Sequence, residues 1–195
     1  MNKLVESFIR DITINDILKD YDIKINIKKR YNKKFRLFYP NRKLIKSIIE
    51  EGGVLTGSRA LRCYELNGVQ LMNRMTKDWD FMIDINSAYR IFAKNNIDII
   101  PVIGEVVSIK GQRRWAHPNY SDSYRVGPVD VQMIIVKELP KHNTQDNINL
   151  ISFKDAVSYK YELLNNSNDS YQHNKHLLDL NRIIINFNYS IQNYL

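Results

Sequence analysis

The apolar positions along this chain change their period several times, and each change marks an element. Leu4, Val5, Phe8, Ile9 and Ile12 recur at helical spacing and predict an amphipathic helix. A second short helix follows an Asn15 cap and carries Ile17 and Leu18. The stretch "KINIKKRYNKKFRLFYP" is strongly basic with Tyr and Phe interleaved; it reads as a strand pair or an extended arm ending at Pro40. "NRKLIKSIIEEGG" reads as a helix from an Asn41 cap to a Gly52 stop. "GVLTG" is a short buried strand ending in a turn, and "RALRCYEL" turns back as a helix. "DWDFMIDI" alternates, placing Asp78, Asp80 and Met82 on one face of a strand and Trp79, Phe81 and Ile83 on the other.

"SAYRIFAKNN" returns to helical spacing. "DIIPVIGEVVSIKG" and "VGPVDVQMIIV" are strand-like runs joined by the loop "QRRWAHPNYSDSY". After Pro140 the pattern is helical, in "SFKDAVSYKYELLNN" and "YQHNKHLLDLNRIIINF". The order predicts an α/β (α+β) fold with a mixed sheet in three parts. These are an N-terminal helical and basic extension over residues 1–40, a core over 41–140, and a helical C-terminal appendage over 141–195.

The chain of 195 residues is long enough for one domain with a sizeable core, and its 44% apolar and 26% charged residues are those of a globular protein. No apolar run reaches the roughly 18 residues of a membrane span, and the N-terminus, with acids inside its apolar stretch, does not read as a secretory signal. A single cysteine, Cys63, excludes an internal disulfide and a multi-cysteine zinc site, so a reducing, cytoplasmic setting is expected. Lys and Arg exceed Asp and Glu by 29 to 21, a net charge of +8. That balance suits a polyanionic partner, and it equally suits a lysine-rich solvated surface from an AT-rich genome.

Three features carry the candidate chemistry. A Gly57-Ser58 turn follows an apolar strand, Asp78 and Asp80 stand at i and i+2 on a later one, and Asp130 sits among apolar residues on a third. Strand alternation sets Asp78 and Asp80 roughly 7 Å apart on one face. Bare carboxylates at that spacing repel, and a hard divalent cation relieves them by taking oxygens from both. Asp130 on a neighbouring strand completes a three-carboxylate set suited to two Mg²⁺ (or Mn²⁺) ions. The Gly-Ser turn opening a helix offers N–H groups and a hydroxyl to a triphosphate.

The pattern "LTGSRA … KDWDF … VDV" resembles the nucleotidyltransferase superfamily of the DNA polymerase β type, over residues from about 41 to 136. The resemblance implies that Gly57 and Ser58 contact NTP phosphates and that Asp78 and Asp80 bind metal. It implies that Asp130 binds a second metal and helps deprotonate an acceptor hydroxyl. It further implies that Lys160 and Lys175, on C-terminal helices, lie near the triphosphate. The spacing from Ser58 to Asp78 is longer than in compact members of that superfamily and predicts a loop insertion. Asp84 and Asp122 are competing carboxylates.

The expected activity is Mg²⁺-dependent transfer of an NMP from an NTP to a hydroxyl. RNA, tRNA-like, is the first acceptor; a protein side chain (as in toxin-type members) or a small molecule such as an antibiotic is the alternative. A rival of another class is a basic nucleic-acid-binding module without catalysis. Arg59 can reach a phosphate or anchor the motif helix. Arg113, Arg114 and Trp115, with Tyr120 and Tyr124, suit base stacking and phosphate contact, or pack a hairpin tip. Lys28 to Arg36, with Tyr31 and Phe35, suits a polyanion. The four histidines show no zinc-like spacing; His173 and His176 read as surface residues, and Cys63 as a core thiol.

Overall fold

Helix α1 (Arg42–Glu50) forms where Leu44, Ile45 and Ile48 recur on one face and bury into the core. It stops as read: Gly52 takes φ +83°, a conformation that favours glycine, and its N–H reaches back to the Ile49 carbonyl. Asn41 precedes the helix without capping it; its side-chain amide donates instead to the Ile109 carbonyl (3.4 Å). The computed structural model describes residues 21–27, 41–74, 76, 78–111, 129–166 and 169–192. The segments expected to form N-terminal helices, the basic stretch Lys28 to Arg36, Asp122, and Arg113, Arg114 and Trp115 lie outside the described residues.

Strand β2 (Val54–Thr56) is wholly buried and runs into α2 (Gly57–Leu61), only five residues long. The helix read over "RALRCYEL" therefore ends early. Tyr64–Leu66 forms β3 and Val69–Gln70 forms β4, closed by Asn67 and Gly68, both at positive φ. Leu66 pairs directly with Val69, the two-residue hairpin that an Asn-Gly pair favours. With β1 (Lys24–Ile25) it makes a three-stranded sheet, so the long spacing before Asp78 is occupied largely by a hairpin.

β5 (Trp79–Asp84) leads directly into α3 (Ile85–Lys94). Asp84 caps that helix, its carboxylate accepting from the Asn86 and Ser87 N–H groups at 3.0 Å each, so it does not compete for the candidate metal face. Strand character in "DIIPVIGEVVSIKG" begins only at β6 (Val106–Gly111), and Ile100, Val102 and Ile103 before it are exposed. β7 (Val129–Val136) follows, then β8 (His142–Gln145) and β9 (Ile148–Ile151). Here the expected helical pattern after Pro140 is corrected. A hairpin turns on Asp146 and Asn147, both at positive φ, and the helices α4 (Phe153–Asn166) and α5 (Ser170–Gln192) start after it.

The six-stranded sheet runs β6-β7-β5-β2-β9-β8 and is mixed: β5 is parallel to β7 and β2 to β9, the other pairs antiparallel. Because β9 pairs with β2, the sheet continues past residue 140. Trp79, Phe81, Ile83, Val131, Met133 and Ile135 are buried on one face. Each such side chain contributes about 1.5–3 kcal/mol relative to exposure. α3 packs on β5 and β7, and α4 and α5 pack on each other as an antiparallel pair. The opposite face of β5 and β7 is where the polar residues collect.

Candidate active site

Register sets the three aspartates on one face of the sheet. Thr56 on β2 pairs with Asp80 on β5, and Asp80 pairs with Gln132 on β7. The parallel pair continues through Trp79 and Val131, so one step further Asp78 comes level with Asp130. Alternation then gives Asp78, Asp80, Asp130 and Gln132 a common face. Lys110 on β6 pairs with Asp130 and is exposed, yet among the described residues Asp130 makes no ion pair.

Burial, and then the neighbouring Asp78, push the Asp80 carboxyl above its ordinary range; Lys175, Lys160 and Arg59 pull the other way. One oxygen of Asp130 and the Thr56 hydroxyl are buried with no hydrogen-bond partner. Among the described residues no three His, Cys, Asp or Glu side chains already converge on one point that could hold an ion. The donors nevertheless suit a hard cation: an unpartnered carboxylate oxygen, and a second carboxylate strained by its neighbour.

Gly57 sits at φ +65°, and a Cβ there would lie 3.1 Å from Asp80 Cγ and overlap its Oδ2. The sheet-to-helix turn thus admits the Asp80 carboxylate only because residue 57 lacks a side chain. Gly57→Ala is expected to destabilise the fold by more than about 1 kcal/mol and to displace Asp80, lowering any turnover with it. Denaturant midpoints read the first effect and rate assays the second.

Ser58 is held in a buried knot that the sequence did not reveal. Its hydroxyl donates to Asp179 (3.0 Å) and accepts from Lys160 (3.1 Å) and Arg74 (3.0 Å). Asp179, fully buried on α5, is ion-paired to Arg74 at 2.7 Å and to Lys160 at 2.8 Å. Burial pushes the Asp179 carboxyl up, but Arg74 and Lys160 outweigh it and hold it down at about 2. Lys160 is itself only 4% exposed; burial lowers its pKa and Asp179 opposes that. Lys160 therefore lines the cleft beside Ser58 with its charge already matched by Asp179. Lys175, half-buried, makes no ion pair among the described residues.

Arg59 reaches toward the chain ahead of β5. It donates to the Asp78 and Thr76 carbonyls, both at 2.9 Å, and stacks over the Trp79 ring at 4.2 Å. It thereby fixes the backbone that carries Asp78. Cys63 is buried, as expected, with its thiol against the Arg59 carbonyl.

These elements enclose a cleft of about 380 Å³ between the sheet and the α4–α5 pair. Gly57, Ser58, Asp80, Lys160 and Lys175 line it, joined by Gln132 from β7. His176, read from sequence as a surface residue, is instead 8% exposed and lines the cleft. His173 does remain exposed. Burial, with Lys160 and Lys175 nearby, lowers the His176 pKa to about 4.

The unfolded chain thus takes up this proton near pH 6.5 and the folded one only near 4. Stability from His176 is full above about 6.5 and falls as pH drops toward 4. His176→Gln is expected to flatten that part of the stability–pH curve, measured by denaturation from pH 4 to 7.

No known family model matches the chain, and no curated protein matches it. Among solved structures it is similar to the crystal structure of JHP933 from Helicobacter pylori, with 17% sequence identity and a TM-score of 0.34. The match covers 74% of this chain and 60% of that one, so the chain spans less than two thirds of that protein's length.

Proposed function

We propose that this chain is a nucleotidyltransferase that moves an NMP from an NTP onto a hydroxyl of RNA. The observation that carries the reading is the parallel β5–β7 register, which sets Asp130 level with Asp78 on the face of Asp80. That face borders a cleft containing Ser58 and two lysines. Arg59 supports the backbone that carries Asp78.

Asp78, Asp80 and Asp130 are the residues that would hold divalent cations. When bound, these neutralise phosphate charge and lower the pKa of the attacking hydroxyl. Lys175 and the backbone N–H groups of the Gly57-Ser58 turn would meet the β- and γ-phosphates, while Asp179, Lys160 and Arg74 hold the Ser58 hydroxyl and with it the turn. The acceptor oxygen bonds to the α-phosphorus while the bond from that phosphorus to the bridging β-oxygen breaks, and pyrophosphate leaves. Asp130 takes the hydroxyl proton. Exposed Lys110 beside Asp130, together with the +8 charge, supports a polyanionic acceptor.

The test incubates the purified chain with each α-labelled NTP, Mg²⁺ or Mn²⁺, and cellular RNA plus protein extract. Label on RNA, absent with Asp78→Ala/Asp80→Ala, is the expected result. Label on a protein band would move the acceptor to the toxin-type alternative. Neither label nor NTP binding, with salt-sensitive RNA binding that survives the double substitution, would replace the enzyme by a binding module.

A further inference from the structure

The cleft extends past the residues used above, and its outer part has a different character. Lys160 pairs with Asp179 across the two antiparallel helices, and His173 meets the Leu164 carbonyl at 3.1 Å farther out. From Lys160 outward, Asn166 lies six residues along α4; from Asp179, Gln172 lies seven residues along α5. At 1.5 Å per residue these are rises of roughly 9 and 10.5 Å along the two helices from the Lys160–Asp179 pair, so the two stand at about the same level. Such a rise is about the reach from the terminal phosphates of a nucleotide to its base. Both amide residues line the cleft.

The walls between are apolar. Val106 and Ile134 form a cross-strand pair on the Asp80 face, and Tyr159 and Leu163 face the cleft from α4. Val106 is 57% exposed, so a planar ring laid there would cover apolar surface now in water. Asp80 is the one carboxylate lining the cleft among the described residues.

We propose that this outer part is the nucleobase site and that Asn166 and Gln172 select adenine, a specificity that rests on the transferase reading. A carboxamide pairs best with a donor beside an acceptor. Adenine presents that arrangement twice, its amino group giving one hydrogen to each amide oxygen while N1 and N7 accept from the two amide nitrogens. Uracil has a single N–H for the two oxygens, and cytosine one such edge. The paired donors of guanine favour a carboxylate; among the described residues none lines the outer cleft, and Asp169, at the turn between the helices, is taken up by the Tyr171 N–H.

Calorimetric titrations with Mg²⁺ and no acceptor test this on the full chain, using ATP, GTP, CTP, UTP and inorganic tripolyphosphate. ATP is expected to bind about tenfold tighter than the others. Asn166→Ala and Gln172→Ala should each remove most of that preference while leaving tripolyphosphate affinity unchanged. Four NTPs binding alike, a preference for another base, or equal losses for ATP and tripolyphosphate would overturn the adenine site and leave the transferase standing. Binding of neither tripolyphosphate nor any NTP would overturn both.

Discussion

Asp80→Asn is expected to abolish nucleotidyl transfer, by at least about 10³-fold, while making the ligand-free chain more stable. The two effects have one origin. Asp80 lies in a half-buried position, under the Gly57 turn and beside Asp78, and both burial and that neighbour disfavour its charge. Its folded pKa is raised, so the folded chain binds this proton more tightly than the unfolded one. The sign follows: stability falls as pH rises through the unfolded carboxylate value of about 3.9 and stays reduced above the folded value.

A neutral, isosteric amide removes the penalty and, with it, the charge that a divalent cation needs. Two denaturation series at pH 7, with and without Mg²⁺, separate the cases. Without metal the variant should unfold at higher denaturant than the native chain. Added Mg²⁺ should stabilise the native chain and leave the variant nearly unmoved, because only a state that binds ligand gains from it. A variant that is less stable and still turns over would remove Asp80 from the proposed chemistry.

Asp179→Ala is expected to cost about 3–5 kcal/mol, the largest stability loss of any single change considered. The reason is what it strands. Lys160 and Arg74 converge on this carboxylate, and Lys160 is buried with no solvent to replace it. The Ser58 hydroxyl loses its acceptor in the same step. Asp179→Leu paired with Lys160→Met removes both buried charges and should recover most of the stability, as apolar replacements of buried ion pairs do. Turnover should not recover, because Ser58 is then unsupported.

The pH dependence gives an independent reading. With its folded pKa held down at about 2, Asp179 contributes stability present above about 3.9 and lost as pH falls toward 2. An Asp179→Ala cost below about 1 kcal/mol in chemical denaturation would show that the buried network does not hold the α4–α5 pair to the core.

The mixed α/β class was legible because its signals are local. The 3.6-residue spacing in "RKLIKSIIE" and the two-residue alternation in "WDFMID" each follow from burying one face, and both elements stand where those periods put them. The Asn67-Gly68 hairpin is equally local, but a helical reading of "RALRCYEL" competes with it. The β8–β9 hairpin is harder: "HNTQ" is polar and exposed, and its strand character comes from pairing with β9, which itself pairs with β2.

The candidate site divides the same way. Gly57, Ser58, Asp78, Asp80 and Asp130 stand out by spacing and flanking residues, because turns and alternation are written within a few residues of each. That Asp130 comes level with Asp78 is decided by the tertiary structure, since a parallel β5–β7 pairing joins segments about fifty residues apart and nothing local sets its register. Asp179 and Arg74 illustrate the limit. In the sequence they are an ordinary charged pair 105 residues apart, and only packing α5 against α2 and α4 withdraws Asp179 from water and makes Arg74, Lys160 and Ser58 its solvent. Burial of a charge is a property of the assembled fold, because it depends on which distant groups exclude water and which supply the counter-charge.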